Sequence, residues 1–154
     1  MRVLGIDPGL VKTGWGIIER EGATLRYVAS GLIKPPVKVP LPQRLSFLHM
    51  HITDVLNAHK PETAAVEETF VNKNPASALK LGQARGVCVC APALYGIEVG
   101  EYSANKIKKS IVGSGHAAKQ QMMMMVKMLL PKSGDLSEDE ADALAVAITH
   151  AHHL

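Results

Sequence analysis

Hydrophobic and polar residues recur with two different periods along this chain, and the changes of period divide it into strands and helices. The first third contains three short segments that alternate with period two or are rich in β-branched and aromatic residues. The turn pairs Pro8-Gly9 and Glu21-Gly22 separate them. Because tight turns join antiparallel neighbours, we expect an antiparallel meander of three strands, at 2–7, 13–21 and 24–33.

The period becomes helical after a proline-rich stretch, Lys34 to Pro42, which predicts a loop. The region from about Leu41 to His59 carries one apolar face, formed by Leu41, Leu45, Leu48, Ile52, Val55 and Leu56. A short strand at 63–68 (TAAVEE) follows Pro61. Because a helix separates it from the first strand, we expect the two strands to pair in parallel.

The second half alternates between helices and one more strand. Asn74-Pro75 offers an N-cap and a proline at the first helical position, which opens a helix to about Leu94. A proline near the end of that helix, Pro92, is expected to kink or end it. The remaining elements are a strand at 97–103 (IEVGEYS), a helix capped by Ser103, a helix after Gly113 and Gly115 that carries Met122 to Met125, and a last helix from near Ser137 to the C-terminus. This order predicts an α/β fold with a five-stranded mixed sheet and helices on both faces.

Composition limits the class of protein. With 154 residues and 47% hydrophobic content, the chain is predicted to form one domain, 1–154. No apolar run approaches the roughly 20 residues of a membrane span, and the N-terminus lacks a signal-peptide pattern, so a cytoplasmic protein without a membrane partner is expected. Cys88 and Cys90 cannot form a disulfide framework, and both are predicted to be small buried hydrophobic residues.

Charge is distributed unevenly. The net charge is +3 and the pI is near 8.9, a mild bias toward polyanions. A basic zone stands beside an acidic zone at 135–142 and is formed by Lys106, Lys108, Lys109 and Lys119. This pairing suits an anionic substrate that is processed with a metal, although a solvated lysine-rich helix face is the simpler alternative.

Four acidic residues lie inside or at the edge of apolar runs, where a carboxylate is costly unless its charge is compensated. They are Asp7, Glu67, Asp139 and Asp142. Hard divalent cations prefer such oxygen ligands. The pattern therefore predicts a site for divalent metal, built from several elements.

Each acid also has a structural alternative. Asp7 precedes Pro-Gly and could serve a turn. Glu67 and Glu68 point to opposite faces of a strand, so at most one joins Asp7, and periodicity does not choose between them.

The acids of the last helix have an alternative in helix capping. Ser137 and Glu140 form a capping-box pattern, which accounts for Glu140 and could account for Asp139 but does not account for Asp142. Asp139 and Asp142 share one helix face, and a shared cation would relieve their repulsion.

Three other features receive structural interpretations. His150, His152 and His153 near the terminus are predicted to be solvated in a frayed last turn, since no Cys/His spacing of the zinc type is present. The methionine run is expected to pack or to form a flexible surface. Gly113-Ser114-Gly115 lacks the Lys-Ser/Thr that would make it a phosphate loop.

Long ordered motifs give the chain a resemblance to a known family. GIDPGLVKTGWGII, AVEETFVNKNPASALKLGQARGV, IVGSGHAAKQQ and DEADALAVAITHAHH resemble the RuvC family of bacterial Holliday-junction resolvases over essentially the whole chain. The resemblance implies a ribonuclease-H-like fold and a homodimer. It also implies Mg²⁺-dependent cutting of four-way DNA junctions by paired symmetric nicks that leave 5′ phosphates. A branch-migration motor of RuvA and RuvB is the implied partner.

The resemblance also implies roles for individual residues. Two Mg²⁺ ions, which Mn²⁺ would replace, are expected at the family's catalytic carboxylates, Asp7, Glu67, Asp139 and Asp142. The register of the motif selects Glu67 over Glu68. Phe70 corresponds to a residue that meets unpaired bases, and Lys108 and Lys119 correspond to lysines at the DNA backbone and the scissile phosphate. The helix that opens at Asn74 corresponds to the dimer-forming helix.

Three other functions stay open. A related ribonuclease-H-like nuclease acting on RNA would share the GIDPG motif. An actin-like nucleotide-binding half-domain would share the glycine-rich hairpin, although such proteins need two lobes. A catalytically inactive junction-binding module is disfavoured by the intact acidic quartet.

Overall fold

The computed structural model describes residues 1–68 and 74–154. These residues contain five strands, five α-helices and one short 3-10 turn. The strands are β1 (Arg2–Asp7), β2 (Thr13–Glu21), β3 (Thr24–Ile33), β4 (Thr63–Glu68) and β5 (Glu98–Ser103). The helices are α1 (Leu41–His59), α2 (Pro75–Tyr95), α3 (Ala104–Val112), α4 (Lys119–Leu129) and α5 (Glu138–His152). The predicted order is confirmed, with β5 one residue shorter than expected and the 3-10 turn, Pro131–Ser133, not predicted.

The strands form one mixed sheet in the order β3-β2-β1-β4-β5. β1, β2 and β3 pair antiparallel, as the tight turns predicted. β4 lies parallel to β1, with Val66 opposite Ile6, and β5 lies parallel to β4. The carboxyl ends of β1, β4 and β5 therefore lie at the same edge of the sheet.

Helices cover both faces of this sheet. Alternation in β1 sends Val3 to a core shared with α3, α4 and α5, and sends Leu4 to a core shared with α1 and α2. In β4, Ala65 joins the first core and Val66 the second. The predicted layers are confirmed, and each face of the sheet has its own set of helices.

Glycines in β1 and β2 let α5 lie directly on the sheet. A Cβ on Gly5 would stand 2.1 Å from the carbonyl oxygen of Ala143. A Cβ on Gly14 would stand 2.2 Å from the carbonyl oxygen of Asp139. Gly5 pairs with Gly16, which also faces α5. The missing side chains thus set how closely the start of α5 approaches the end of β1.

Pro92 was expected to kink or end α2, and it does not end the helix. The helix begins after Asn74, whose side chain accepts hydrogen bonds from two backbone N–H groups, and it continues through Pro92 to Tyr95. It ends at Gly96, whose φ of +98° is left-handed. A proline so close to the end removes one backbone donor, while its own carbonyl accepts from Ile97.

Two predictions of burial were wrong. Cys88 is buried, but Cys90 is exposed, because residues two apart on a helix point in different directions. His150 is buried rather than solvated, since the last turns of α5 pack on the sheet instead of fraying. His152 and His153 are exposed, as predicted. Among the described helices, none is long and apolar enough to cross a membrane.

His150 is buried between α5 and the sheet, where it contacts two polar side chains. Its Nε2 is 2.7 Å from Thr63 Oγ1, and its Nδ1 is 2.8 Å from the Tyr102 hydroxyl. Because the Thr63 hydroxyl donates to the carbonyl of Glu98, it accepts from Nε2–H, and the Tyr102 hydroxyl donates to Nδ1. Burial lowers the pKa of His150, so the ring is held neutral.

Candidate active site

Two of the four predicted acids end neighbouring parallel strands. Asp7 is the last residue of β1 and Glu67 the penultimate residue of β4, one step beyond the paired Ile6 and Val66. Asp7 shares strand parity with Val3, and Glu67 with Ala65, so both side chains face α3, α4 and α5.

The other two acids, Asp139 and Asp142, lie on α5, which packs over this pair. One oxygen each of Asp7, Asp139 and Asp142 lies within 4.8 Å of the others, a spacing that could hold a metal ion. Asp139 and Asp142 share one helix face, and the close contact of α5 with the glycines of the sheet brings that face over Asp7. Three separate elements thus supply the carboxylates.

The capping interpretation and the metal interpretation both apply within α5. Ser137 and Glu140 form the reciprocal capping box, and Glu140 also accepts a hydrogen bond from Ser30. These bonds lower the pKa of Glu140, although burial acts against them. Glu140 is therefore committed to the helix end, whereas Asp139 and Asp142 face the cluster.

Asp7 is the most perturbed acid of the cluster. Its pKa is raised from 3.8 to about 9, mainly by burial, then by its hydrogen bond to Glu67 and the negative charges of Glu67 and Asp139. The charge of Lys119 acts in the opposite direction. In the absence of a cation, Asp7 holds a proton that it shares with Glu67.

Glu67 and Asp142 are shifted in the same direction. Burial raises the pKa of Glu67, and the hydrogen bond from Asp7 lowers it in part. Burial and the charge of Asp7 raise the pKa of Asp142 to about 7. Burial and mutual repulsion both disfavour the ionised forms, so the cluster has a deficit of positive charge.

The carboxylates open into a cleft of about 470 Å³ that also contains the two predicted lysines. Its lining residues are Asp7, Glu67, Lys108, Lys119, Asp142 and several apolar side chains of α3, α4 and α5. Lys108 lies on α3, and Lys119 is the first residue of α4. Lys119 Nζ lies 3.0 Å from Glu138 Oε1. An anion that enters the cleft would therefore meet positive charge beside the acidic cluster.

The chemistry of these groups fits a hard divalent cation. All the donors are carboxylate oxygens, which Mg²⁺ prefers over nitrogen or sulfur. A cation would offset the burial and the mutual repulsion that raise the pKa of Asp7 and Asp142. Asp7, Asp139 and Asp142 would hold it directly, and Glu67 would complete the site from the side of β4.

Two basic residues that no sequence pattern predicted contact the acids of this site. Lys12, in the turn between β1 and β2, pairs with Asp139, with 3.1 Å between Nζ and Oδ2. Arg85, on α2, donates from Nε to the backbone carbonyl of Glu67 and pairs with Glu101 on β5. Arg85 therefore ties the ends of β4 and β5 to α2. No local pattern identified either residue, because each acts across elements.

Phe70, predicted to meet unpaired bases, lies outside the described residues. Glu68, the alternative to Glu67, points to the opposite face of β4, toward α1 and α2. The arrangement around Asp7 thus selects Glu67, in agreement with the register of the family motif.

Comparison with known proteins identifies the family over nearly the whole chain. Residues 3–150 match the family described as crossover junction endodeoxyribonuclease RuvC. The protein of that name from Bradyrhizobium diazoefficiens is 59% identical over 99% of this chain and 87% of its own length.

Solved structures of Holliday junction resolvases have the same fold. The structure of Thermus thermophilus RuvC in complex with a Holliday junction substrate has a TM-score of 0.91 and 35% identity, over 99% of this chain and 94% of that one. The yeast mitochondrial Holliday junction resolvase shares the fold, with a TM-score of 0.66 and 14% identity over 96% of this chain and 77% of that one. The predicted ribonuclease-H-like architecture is therefore confirmed, and the chain belongs to the RuvC family of crossover junction endodeoxyribonucleases.

Proposed function

We propose that this protein resolves four-way DNA junctions by paired symmetric nicks, through hydrolysis of phosphodiester bonds at the cleft of Asp7, Glu67, Asp139 and Asp142. The observation that carries the proposal is the convergence of these acids beside Lys108 and Lys119. Membership of the RuvC family supports a junction as the substrate. A protein that cuts cellular DNA would act in the cytoplasm.

Mg²⁺ is the proposed cofactor, as two ions, with Mn²⁺ as a substitute. Bound at the carboxylates, it would supply Lewis acidity, activation of the attacking water and stabilisation of the leaving 3′ oxygen, so that the product carries a 5′ phosphate. Asp7 would be the central ligand, because it contacts Glu67 and one of its oxygens lies within 4.8 Å of both acids of α5.

The protein's own side chains would position the substrate. Lys108 and Lys119 line the cleft, where they would contact the DNA backbone and the scissile phosphate. Lys119 would also offset charge that develops on the phosphate in the transition state. Its present partner, Glu138, is more than half exposed and could release it to DNA.

A homodimer would provide selectivity for junctions. A single basic groove binds any duplex, whereas two sites related by a two-fold axis match the symmetry of an opened junction. We place the dimer contact on α2, where Leu79 and Leu94 are exposed. Phe70 would add a stacking contact with unpaired bases, worth roughly 1–3 kcal/mol. The RuvA and RuvB motor is the proposed further partner.

Cleavage of a labelled synthetic four-way junction, beside a linear duplex of matched sequence, tests the proposal. We expect paired nicks on the junction alone, only with Mg²⁺ or Mn²⁺, and loss of cutting in Asp7→Asn with junction binding retained. Asp135→Asn, an exposed acid outside the cleft, is the matched control and should cut normally. Binding without cutting would instead indicate a junction-recognition module, and cutting of RNA alone would indicate the related nuclease.

A further inference from the structure

Lys12 lies in the turn between β1 and β2, and its ammonium group pairs with one of the clustered carboxylates. Its Nζ is 3.1 Å from Asp139 Oδ2. The backbone around it is tightly packed: a Cβ on Gly9 would stand 2.1 Å from the carbonyl oxygen of Lys12. A Cβ on Gly14 would meet Asp139 equally closely. The turn around Lys12 is therefore closely packed, and β2 lies against the start of α5 two residues further on, while the Lys12 side chain itself is 46% exposed.

The ammonium group pairs with a carboxylate that a divalent cation would also use. Asp139 belongs with Asp7 and Asp142 to the group of oxygens within 4.8 Å of one another. Mg²⁺ binds carboxylate oxygens at about 2.0–2.1 Å, and an ammonium on the same oxygen would repel it. Lys12 and a divalent cation therefore compete for Asp139.

The flexible four-carbon stem of Lys12 gives the displaced ammonium group a range of positions around Asp139, beside the carboxylates that line the cleft. In the proposed reaction, the anion that arrives there is a DNA phosphate. We propose that Lys12 is a tethered cation that holds Asp139 before substrate binds and transfers to a DNA phosphate when the divalent cation enters. Metal loading and junction binding would then strengthen each other, since such coupling is reciprocal.

The first test is Mn²⁺ binding to the DNA-free protein, followed by electron paramagnetic resonance. Because the inference rests on the metal site of the proposed function, Asp142→Asn serves as the reference. If the wild-type protein shows no Mn²⁺ binding that this variant loses, the proposed metal site itself fails. The Lys12 comparison then uses Lys12→Gln, with Lys127→Gln, an exposed lysine on α4, as the matched control.

The Lys12→Gln variant lacks the competing ammonium group. It should therefore bind Mn²⁺ about two- to fivefold more tightly than the wild type, as expected for a partly exposed ion pair. Lys127→Gln should not change it. Unchanged or weaker binding in Lys12→Gln would overturn the inference, because Lys12 would then either play no part at Asp139 or help to build the site. Thermal melting of the metal-free variants checks that both are folded.

The second test is junction binding in Ca²⁺ across a series of salt concentrations. If Lys12 reaches a phosphate, Lys12→Gln should bind about two- to fivefold more weakly, and the slope of log K against log salt should fall by about one. An unchanged slope would overturn the transfer of Lys12 to DNA. This pattern, tighter metal binding with weaker DNA binding, is not expected of a residue that only supports the fold.

Discussion

At the scale of single residues, Asp7 is a buried acid that the fold holds against other acids. Its pKa is raised from 3.8 to about 9, so the folded protein keeps a proton there that the unfolded chain releases above about pH 4. Between about pH 4 and about pH 9, the Asp7 side chain is therefore ionised in the unfolded chain but protonated in the folded protein. Stability should fall as the pH rises from about 4 to about 9, and Asp7 lowers the stability of the metal-free protein.

Asp7→Asn should consequently stabilise the metal-free protein while it removes cleavage. We expect a gain at pH 8 of about 1–3 kcal/mol, less than the full shift would give because a partly hydrated site relaxes. Melting in EDTA at pH 5 and pH 8 measures it, and the difference from wild type should be larger at pH 8. Mg²⁺ should raise the melting temperature of the wild type only. A variant that is less stable at pH 8 would show that Asp7 has another structural role.

His150 responds to pH in the opposite sense. Its pKa is lowered by burial, so the unfolded chain takes up a proton as the pH falls through about 6.5 while the folded ring stays neutral. The stability that it provides is complete above this pH and declines below it.

His150→Gln should destabilise the protein by about 1–2 kcal/mol at pH 7.5, because a glutamine amide replaces the bonds to Thr63 and Tyr102 imperfectly. Between pH 7.5 and pH 5.5, its melting temperature should depend less on pH than that of the wild type. His116→Gln, at an exposed position, is the matched control. Equal pH dependence in wild type and His150→Gln would show that other groups account for the acid sensitivity.

At the scale of elements, the approach of α5 to β1 decides whether the four carboxylates meet. Gly5→Ala would place a Cβ 2.1 Å from a backbone oxygen of α5, and backbone cannot rotate away as a side chain can. We expect a loss of about 3 kcal/mol and weaker Mn²⁺ binding, measured by melting and by titration.

Two further glycine variants make this prediction specific. In Gly16→Ala the closest contact is with the Leu144 side chain, at 2.5 Å, and the nearest backbone atom, Leu144 N, is 3.3 Å away. This variant should be affected less, which keeps the comparison possible if Gly5→Ala does not fold. Gly82→Ala, on α2, meets nothing within 4 Å and should not weaken Mn²⁺ binding. Normal metal binding by a folded Gly5→Ala would mean that the position of α5 is not critical for the site.

At the scale of the whole molecule, the outer side of α2 is the proposed contact between two copies. Leu79 is 65% exposed, and Gly82 and Gly86 nearby leave open space that another helix could enter. Leu79→Glu should therefore give a monomer in light scattering and lose paired nicks, while each site still binds Mn²⁺. Val37→Glu, at a loop residue that is 77% exposed, should stay dimeric. A dimeric Leu79→Glu would place the contact elsewhere.

The sequence by itself determined the order and the limits of nearly every element. Local signals suffice for this: the period of the apolar residues, Asn74 and Ser103 as N-caps, and glycines that end helices. The position of acids in apolar runs indicated the four carboxylates, and the resemblance to a known family selected Glu67 over Glu68 and assigned roles to Lys108 and Lys119. Short segments of the chain determine these properties, because each residue limits the backbone conformation of its near neighbours.

Only the tertiary structure decided what depends on which helix covers which face. Periodicity showed that Glu67 and Glu68 point apart, and the parallel register of β1 and β4 placed Glu67 beside Asp7, on the face that α5 covers. The burial of His150 and the pairing of Lys12 with Asp139 join residues far apart in sequence. Alternation within a strand shows that the strand has two faces, but it does not show which helices cover each face. Long-range contacts decide this, and no local period encodes them.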